Sequence, residues 1–147
     1  MSETSSINFH YWSLKTDEEL KQSSDEKLPN INFHVLKYSD KCLYVWIGDF
    51  NNKIENLSCA IKTPYEKDPT GVEIMLANEE LNNNTNSLGK DLSIKLSRKL
   101  NKQVFVSFNV ACDLLEKMID NTGDGLSLMQ LIEKRLFTEI KQHPELF

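Results

Sequence analysis

The sequence predicts a single α+β domain: a mainly antiparallel β-sheet of about six strands with two main helices. Three observations carry that reading. Short apolar runs alternating with period two fill the first half of the chain. A four-residue leucine spacing begins at Leu88, and a second helical stripe follows Leu126. The links between the early strands are short and polar, which favours antiparallel neighbours.

The strands come first. INFHYW, Ile7 to Trp12, puts Ile7, Phe9 and Tyr11 on one side. INFHVL, Ile31 to Leu36, places Ile31, Phe33 and Val35 together, with His34 opposite. CLYVWIG, Cys42 to Gly48, is apolar on both faces, so it is expected to be central and covered on both sides. LSCAI, Leu57 to Ile61, is expected as the next strand. VEIML, Val72 to Leu76, is expected to point Val72, Ile74 and Leu76 inward after a PTG turn. QVFVSFNV, Gln103 to Val110, has Val104, Val106, Phe108 and Val110 on one face, with Phe105, Ser107 and Asn109 on the other.

The helices follow from a longer period. Leu88, Leu92, Leu96 and Leu100 predict a helix over about 87–101, with Ser87 at its N-cap and Arg98 and Lys99 in its last turn, where cations suit the dipole. Leu128, Met129, Ile132, Leu136 and Ile140 predict a second over about 126–143, ended by Pro144. Residues 1–5 are expected to be disordered, and 15–28, 78–86 and 111–124 to be flexible loops.

Composition narrows the function classes. The chain has 147 residues, 39% hydrophobic and 27% charged, a globular balance for one domain. The net charge of −5 repels phosphate backbones unless a local basic patch overrides it. There is no apolar run of about 18 residues for a membrane span, and no basic start leading into an apolar stretch for secretion. Three cysteines, Cys42, Cys59 and Cys112, are odd in number and widely spaced. That is neither a disulfide framework nor a zinc site, and it fits reduced thiols in the cytosol or nucleus.

Four stretches could carry chemistry. KQVFVSF, Lys102 to Phe108, ends like an RNA-recognition strand, whose glycines and exposed aromatics receive bases. Lys102 and Val104 stand where that motif has small residues, and Phe105 and Phe108 point to opposite faces, so an ordinary sheet strand is the simpler reading. A single-stranded RNA-binding sheet is nevertheless the alternative function. DNTGDG, Asp120 to Gly125, opens like a calcium loop but has Leu131 where a bidentate glutamate is required, so it reads as a turn before the last helix. His10, His34 and His143 have no metal or triad spacing, and nucleophile elbows and phosphate loops are absent. The sequence therefore offers no catalytic residue, metal or cofactor. The basic run KLSRKLNK, Lys95 to Lys102, is either a solvated helix face or a docking patch for an acidic surface.

LSRKLNKQVFVSFN, Leu96 to Asn109, followed by LIEKRLFTEIKQHPELF, Leu131 to Phe147, resembles the fourth of the small proteasome-assembly chaperones. Phe33 to Val35, Trp46 to Gly48 and Asn56 to Ile61 fall where that family has comparable strands. The resemblance is patchier before Ile31, at Asn78 to Ser87 and at Ala111 to Gly125. It implies a non-enzymatic chaperone that forms a heterodimer with a second small chaperone of similar fold. The pair would bind alpha-type subunits during assembly of the 20S proteasome alpha ring, without nucleic acid or membrane. In isolation the chain could be a monomer or a homodimer. The expected partner contacts are Phe105, Ser107 and Asn109 on the strand, with Trp46 and Tyr44 secondary, and Arg98, Lys99 and Lys102 in the basic run.

Overall fold

The computed structural model describes residues 6–16, 28–49, 53–76, 85–115, 118–119 and 126–147. The early apolar runs become the strands β1 (Asn8–Leu14), β2 (Ile31–Ser39), β3 (Cys42–Gly48), β4 (Asn56–Ile61) and β5 (Thr70–Leu76). Helix α1 (Thr85–Leu100) then leads into β6 (Gln103–Asn109). A single helical turn α2 (Cys112–Leu115), a ribbon of β7 (Met118–Ile119) with β8 (Leu126–Ser127), helix α3 (Leu128–Gln142) and a 3₁₀ turn at Pro144–Leu146 complete the order. The expected class, α+β, is what the chain adopts.

One sheet holds six strands in the order β1-β2-β3-β6-β4-β5. Its central pair, β3 and β6, is parallel, and every other pair is antiparallel. Parallel neighbours need a long crossover. Here the β4–β5 hairpin and α1 supply it, and β6 returns into the gap between β3 and β4.

Register divides the sheet into two faces. Trp12, Phe33, Ile47 and Phe108 lie side by side across β1, β2, β3 and β6, and Val35, Val45 and Val106 form the adjacent row. Leu92 and Leu96 from α1 and Leu128, Ile132, Leu136 and Ile140 from α3 join these residues in one buried core. Phe147 is buried with them, against Trp12 (ring centroids 5.9 Å). Helix α1 lies over β4, β5 and β6, while Glu139 of α3 reaches His10 on β1 (2.9 Å).

Local chemistry sets the joints. Asn101 follows α1 with φ 54°, a left-handed backbone that asparagine tolerates, and its N–H donates to Ser97 O at 2.8 Å. The Ser97 hydroxyl donates to Lys102 O (2.6 Å), so the chain turns directly into β6. At the other helix Ser127 and Gln130 form a reciprocal capping box.

The structure corrects four expectations. Helix α1 starts at Thr85, so Ser87 lies inside it and is not the N-cap. Val72 and Ile74 are 49% and 53% exposed, because the edge strand β5 turns them away from the helices. Residues 111–124 are not all loop: they contain α2 and β7. Finally, β3 is central, but among the described residues helices cover only one of its faces. The stretches 1–5, 17–27 and 77–84 and the loop Asp120 to Gly125 lie outside the described residues.

Candidate functional site

Among the described residues the second face of the sheet is largely apolar and has no helix packed on it. Side chains of β-strands alternate between faces, so the neighbours of the core residues share it. Register aligns Phe9, Leu36, Tyr44, Phe105, Cys59 and Val72 in a continuous row across all six strands. A second row runs Tyr11, His34, Trp46, Ser107 over β1, β2, β3 and β6. Phe9 and Tyr11 are 59% and 50% exposed. Between β1 and Ile54 the face sinks into a hollow of about 630 Å³ lined by Phe9, Tyr11, Asn32, His34, Leu36, Tyr44, Trp46 and Ile54. A smaller one, of about 390 Å³, lies over Tyr38, Tyr44, Leu57 and Phe105.

Several polar groups of this face are already hydrogen-bonded. The Tyr44 hydroxyl donates to Ser107 Oγ (3.1 Å), and the Trp46 indole N–H to Lys53 O (2.9 Å). The Ser13 hydroxyl donates to Asn32 Oδ1 (2.8 Å), and the Tyr11 hydroxyl lies 2.8 Å from Ser13 Oγ. What remains for a partner is largely hydrocarbon and ring edge. Gly48 makes this surface possible: a Cβ there would collide with the Trp46 indole, which lies back across the strand and is only 6% exposed.

Electrostatics agree with a recognition surface. Burial pushes the Tyr44 phenol up, partly offset by its hydrogen bond to Ser107. Burial also raises the thiols of Cys42 and Cys59, so both stay protonated and make poor nucleophiles. Burial lowers the His34 imidazole. Among the described residues no three His, Cys, Asp or Glu side chains are grouped to hold a metal ion, and no helix is long and apolar enough to cross a membrane. Among the described residues the linings of the two hollows hold no lysine or arginine to pair with a phosphate backbone.

The residues singled out from sequence fall into two separate places. Phe105 is half-buried near the centre of the six-strand row. Ser107 shares that face but is fully buried beneath Tyr44. Asn109 accepts from the Glu55 backbone N–H (2.9 Å), and its buried Nδ2 has no partner. The basic residues belong to the helical layer. Arg98 meets Asp68 (3.2 Å), Lys95 meets Glu133 (2.6 Å), and Lys99 sits 5.5 Å from the centre of the Phe137 ring. The Lys102 ammonium reaches the Phe147 carbonyl oxygen, and burial first, then neighbouring Lys37, lowers its pKa. Sequence reasoning missed Phe9, Tyr11, Leu36 and Val72. The alternation of β1 separated Phe9 and Tyr11 from their neighbours, but only the pairing of strands showed which side was left uncovered.

Among the described residues the six-stranded sheet has helices on one face and an exposed, aromatic-rich surface on the other, a kind of surface that in general marks interaction sites. The family model described as Proteasome assembly chaperone 4 matches residues 30–110. The chain is 28% identical to Proteasome assembly chaperone 4 of Homo sapiens over 141 residues, covering 96% of this chain and 91% of that protein. It is 30% identical to the Mus musculus protein of the same name over equal shares. A chain from the crystal structure of a novel chaperone complex for yeast 20S proteasome assembly shares the fold, with a TM-score of 0.51 and 10% identity over 95% of this chain and 94% of that one. The chain belongs to the proteasome assembly chaperone 4 family.

Proposed function

We propose that this chain is a non-enzymatic half of a chaperone pair. Its open sheet face seats a second small chaperone of similar fold, and the pair binds alpha-type subunits while the 20S alpha ring assembles. The observation that carries the reading is the row Phe9, Leu36, Tyr44, Phe105, Cys59, Val72, an apolar band spanning the whole sheet. Such a band is costly to leave in water and gains by meeting another apolar sheet, which stacks about 10 Å away. Membership in a proteasome-assembly family supports the choice of partner, and the structural neighbour was solved as a chaperone complex.

The helical layer then remains available for the subunit. Arg98 and Lys99 are solvent-exposed there, on the far side of the sheet from the pairing face, so two partners could be held at once.

A tagged copy purified from its own cells tests this. It should bring down a second small chaperone and free alpha-type subunits, and reproducible absence of both would reject the reading. Phe105→Glu should abolish recovery of the second chaperone. Arg98→Glu with Lys99→Glu should reduce recovery of alpha subunits while leaving the second chaperone in place. If alpha subunits come down undiminished with that double variant, the basic run is only a solvated helix face.

A further inference from the structure

His34 occupies the middle of the pairing face. Its ring meets Tyr11 at 4.8 Å and Trp46 at 5.0 Å, both edge to face, and Phe9 at 5.6 Å. Among the described residues its ring nitrogens have no hydrogen-bond partner. The other two histidines are elsewhere, His10 and His143 flanking Glu139 in the helical layer.

The groups that could influence its charge are few. From β1 the titratable neighbour is Tyr11, and from β3 it is Tyr44; both are phenols lining the same hollow. No carboxylate or ammonium lines that hollow among the described residues. Lys53 and Glu55, either side of Ile54, form an ion pair with each other (3.5 Å). Among the described residues an imidazolium would therefore find ring edges, faces and the neutral oxygens of Asn32, Tyr11 and Tyr44 around it but no counter-charge. Aromatic faces attract a cation only modestly and do not replace its water.

We propose that His34 makes the pairing of this face acid-sensitive: the two chaperones associate over a neutral imidazole and separate when it is protonated. The proposal rests on the pairing reading above and adds its control. A second sheet laid over the hollow removes the water that a charged His34 needs. The direction follows from linkage. Burial already lowers His34 in the free chain, and a covering partner lowers it further. Protons thus bind more readily to the separated chains. Pairing is at full strength above the free chain's titration and weakens as the pH falls through it, until His34 in the pair is protonated too.

The test uses the full chain and the purified second chaperone, titrated calorimetrically at constant ionic strength. With one proton excluded from the pair, affinity should fall about three- to tenfold between pH 7.5 and pH 5.5. His34→Gln, which cannot be charged, should show no such fall whatever its affinity at pH 7.5. A flat wild-type profile, or an undiminished slope in His34→Gln, overturns the proposal and leaves pairing itself intact. Failure to associate at pH 7.5 instead overturns the pairing reading, and this one with it. Should acid disturb the fold, NMR titration of the His34 ring decides the same question. Its midpoint must lie lower in the pair than in the free chain, and equal midpoints overturn the assignment.

Discussion

Phe33 and His34 are consecutive residues of one strand, and they face different worlds. Phe33 is fully buried, stacked on Trp12 with ring centroids 4.8 Å apart and nearly parallel planes (3°). His34 is only partly buried, between the buried Trp46 and the rings of Phe9 and Tyr11, which remain about half in water. Both faces of this sheet are rich in apolar side chains, yet helices close only one of them among the described residues. An apolar sheet face is thus evidence that something covers it, not that the same chain does so.

The sharpest way to break that comparison is to truncate one residue on each side. Phe33→Ala should cost about 3–5 kcal/mol, since it opens a cavity that α3 cannot fill. A change of that size is a large share of a small domain's stability, and urea denaturation would read it. A loss under about 1 kcal/mol would mean the covered face is less tightly filled than it looks. Tyr11→Ala, on the open face, should change stability by less than about 1 kcal/mol but weaken pairing by about 2 kcal/mol, as exposed aromatics at interfaces do. If urea and the pairing assay report equal losses, Tyr11 is a structural residue and the open face begins further in. The smallest effect tests a site on neither face. Ser127→Ala removes one arm of the α3 capping box and should cost about 1 kcal/mol of stability with pairing unchanged. An altered pairing affinity there would show that α3 communicates with the far side of the sheet.

Much of the covered face was legible in the residues. The alternations Ile31, Phe33, Val35 and Val104, Val106, Phe108 identified core residues because period two assigns alternate side chains to one side whatever the partner strand. The leucine spacing found α1 for the same reason at period 3.6, and only its first turn was misplaced. The candidate face was legible in part. Phe105 stood out because its strand is bracketed by clear core positions. Val72 and Ile74 misled because an edge strand that is apolar on one side looks the same whether that side meets a helix or a partner. The basic residues were visible as a run, but Asp68, Glu133 and Phe137, distant in sequence, engage three of its members.

By itself the sequence determined the six main strands, the two main helices and which residues alternate together, since these depend on local periodicity and side-chain chemistry, whereas the short α2, β7 and β8 were not legible in it. Only the tertiary structure decided that β6 inserts beside β3, that Phe9, Tyr44, Phe105 and Val72 from four separate strands join in one row, and that among the described residues no helix covers this row while the opposite face is packed beneath two. The physical reason is that strand order and layer placement are set by long-range burial, in which α1 and α3 pack on the same side of the sheet and, among the described residues, leave the other without a helical layer.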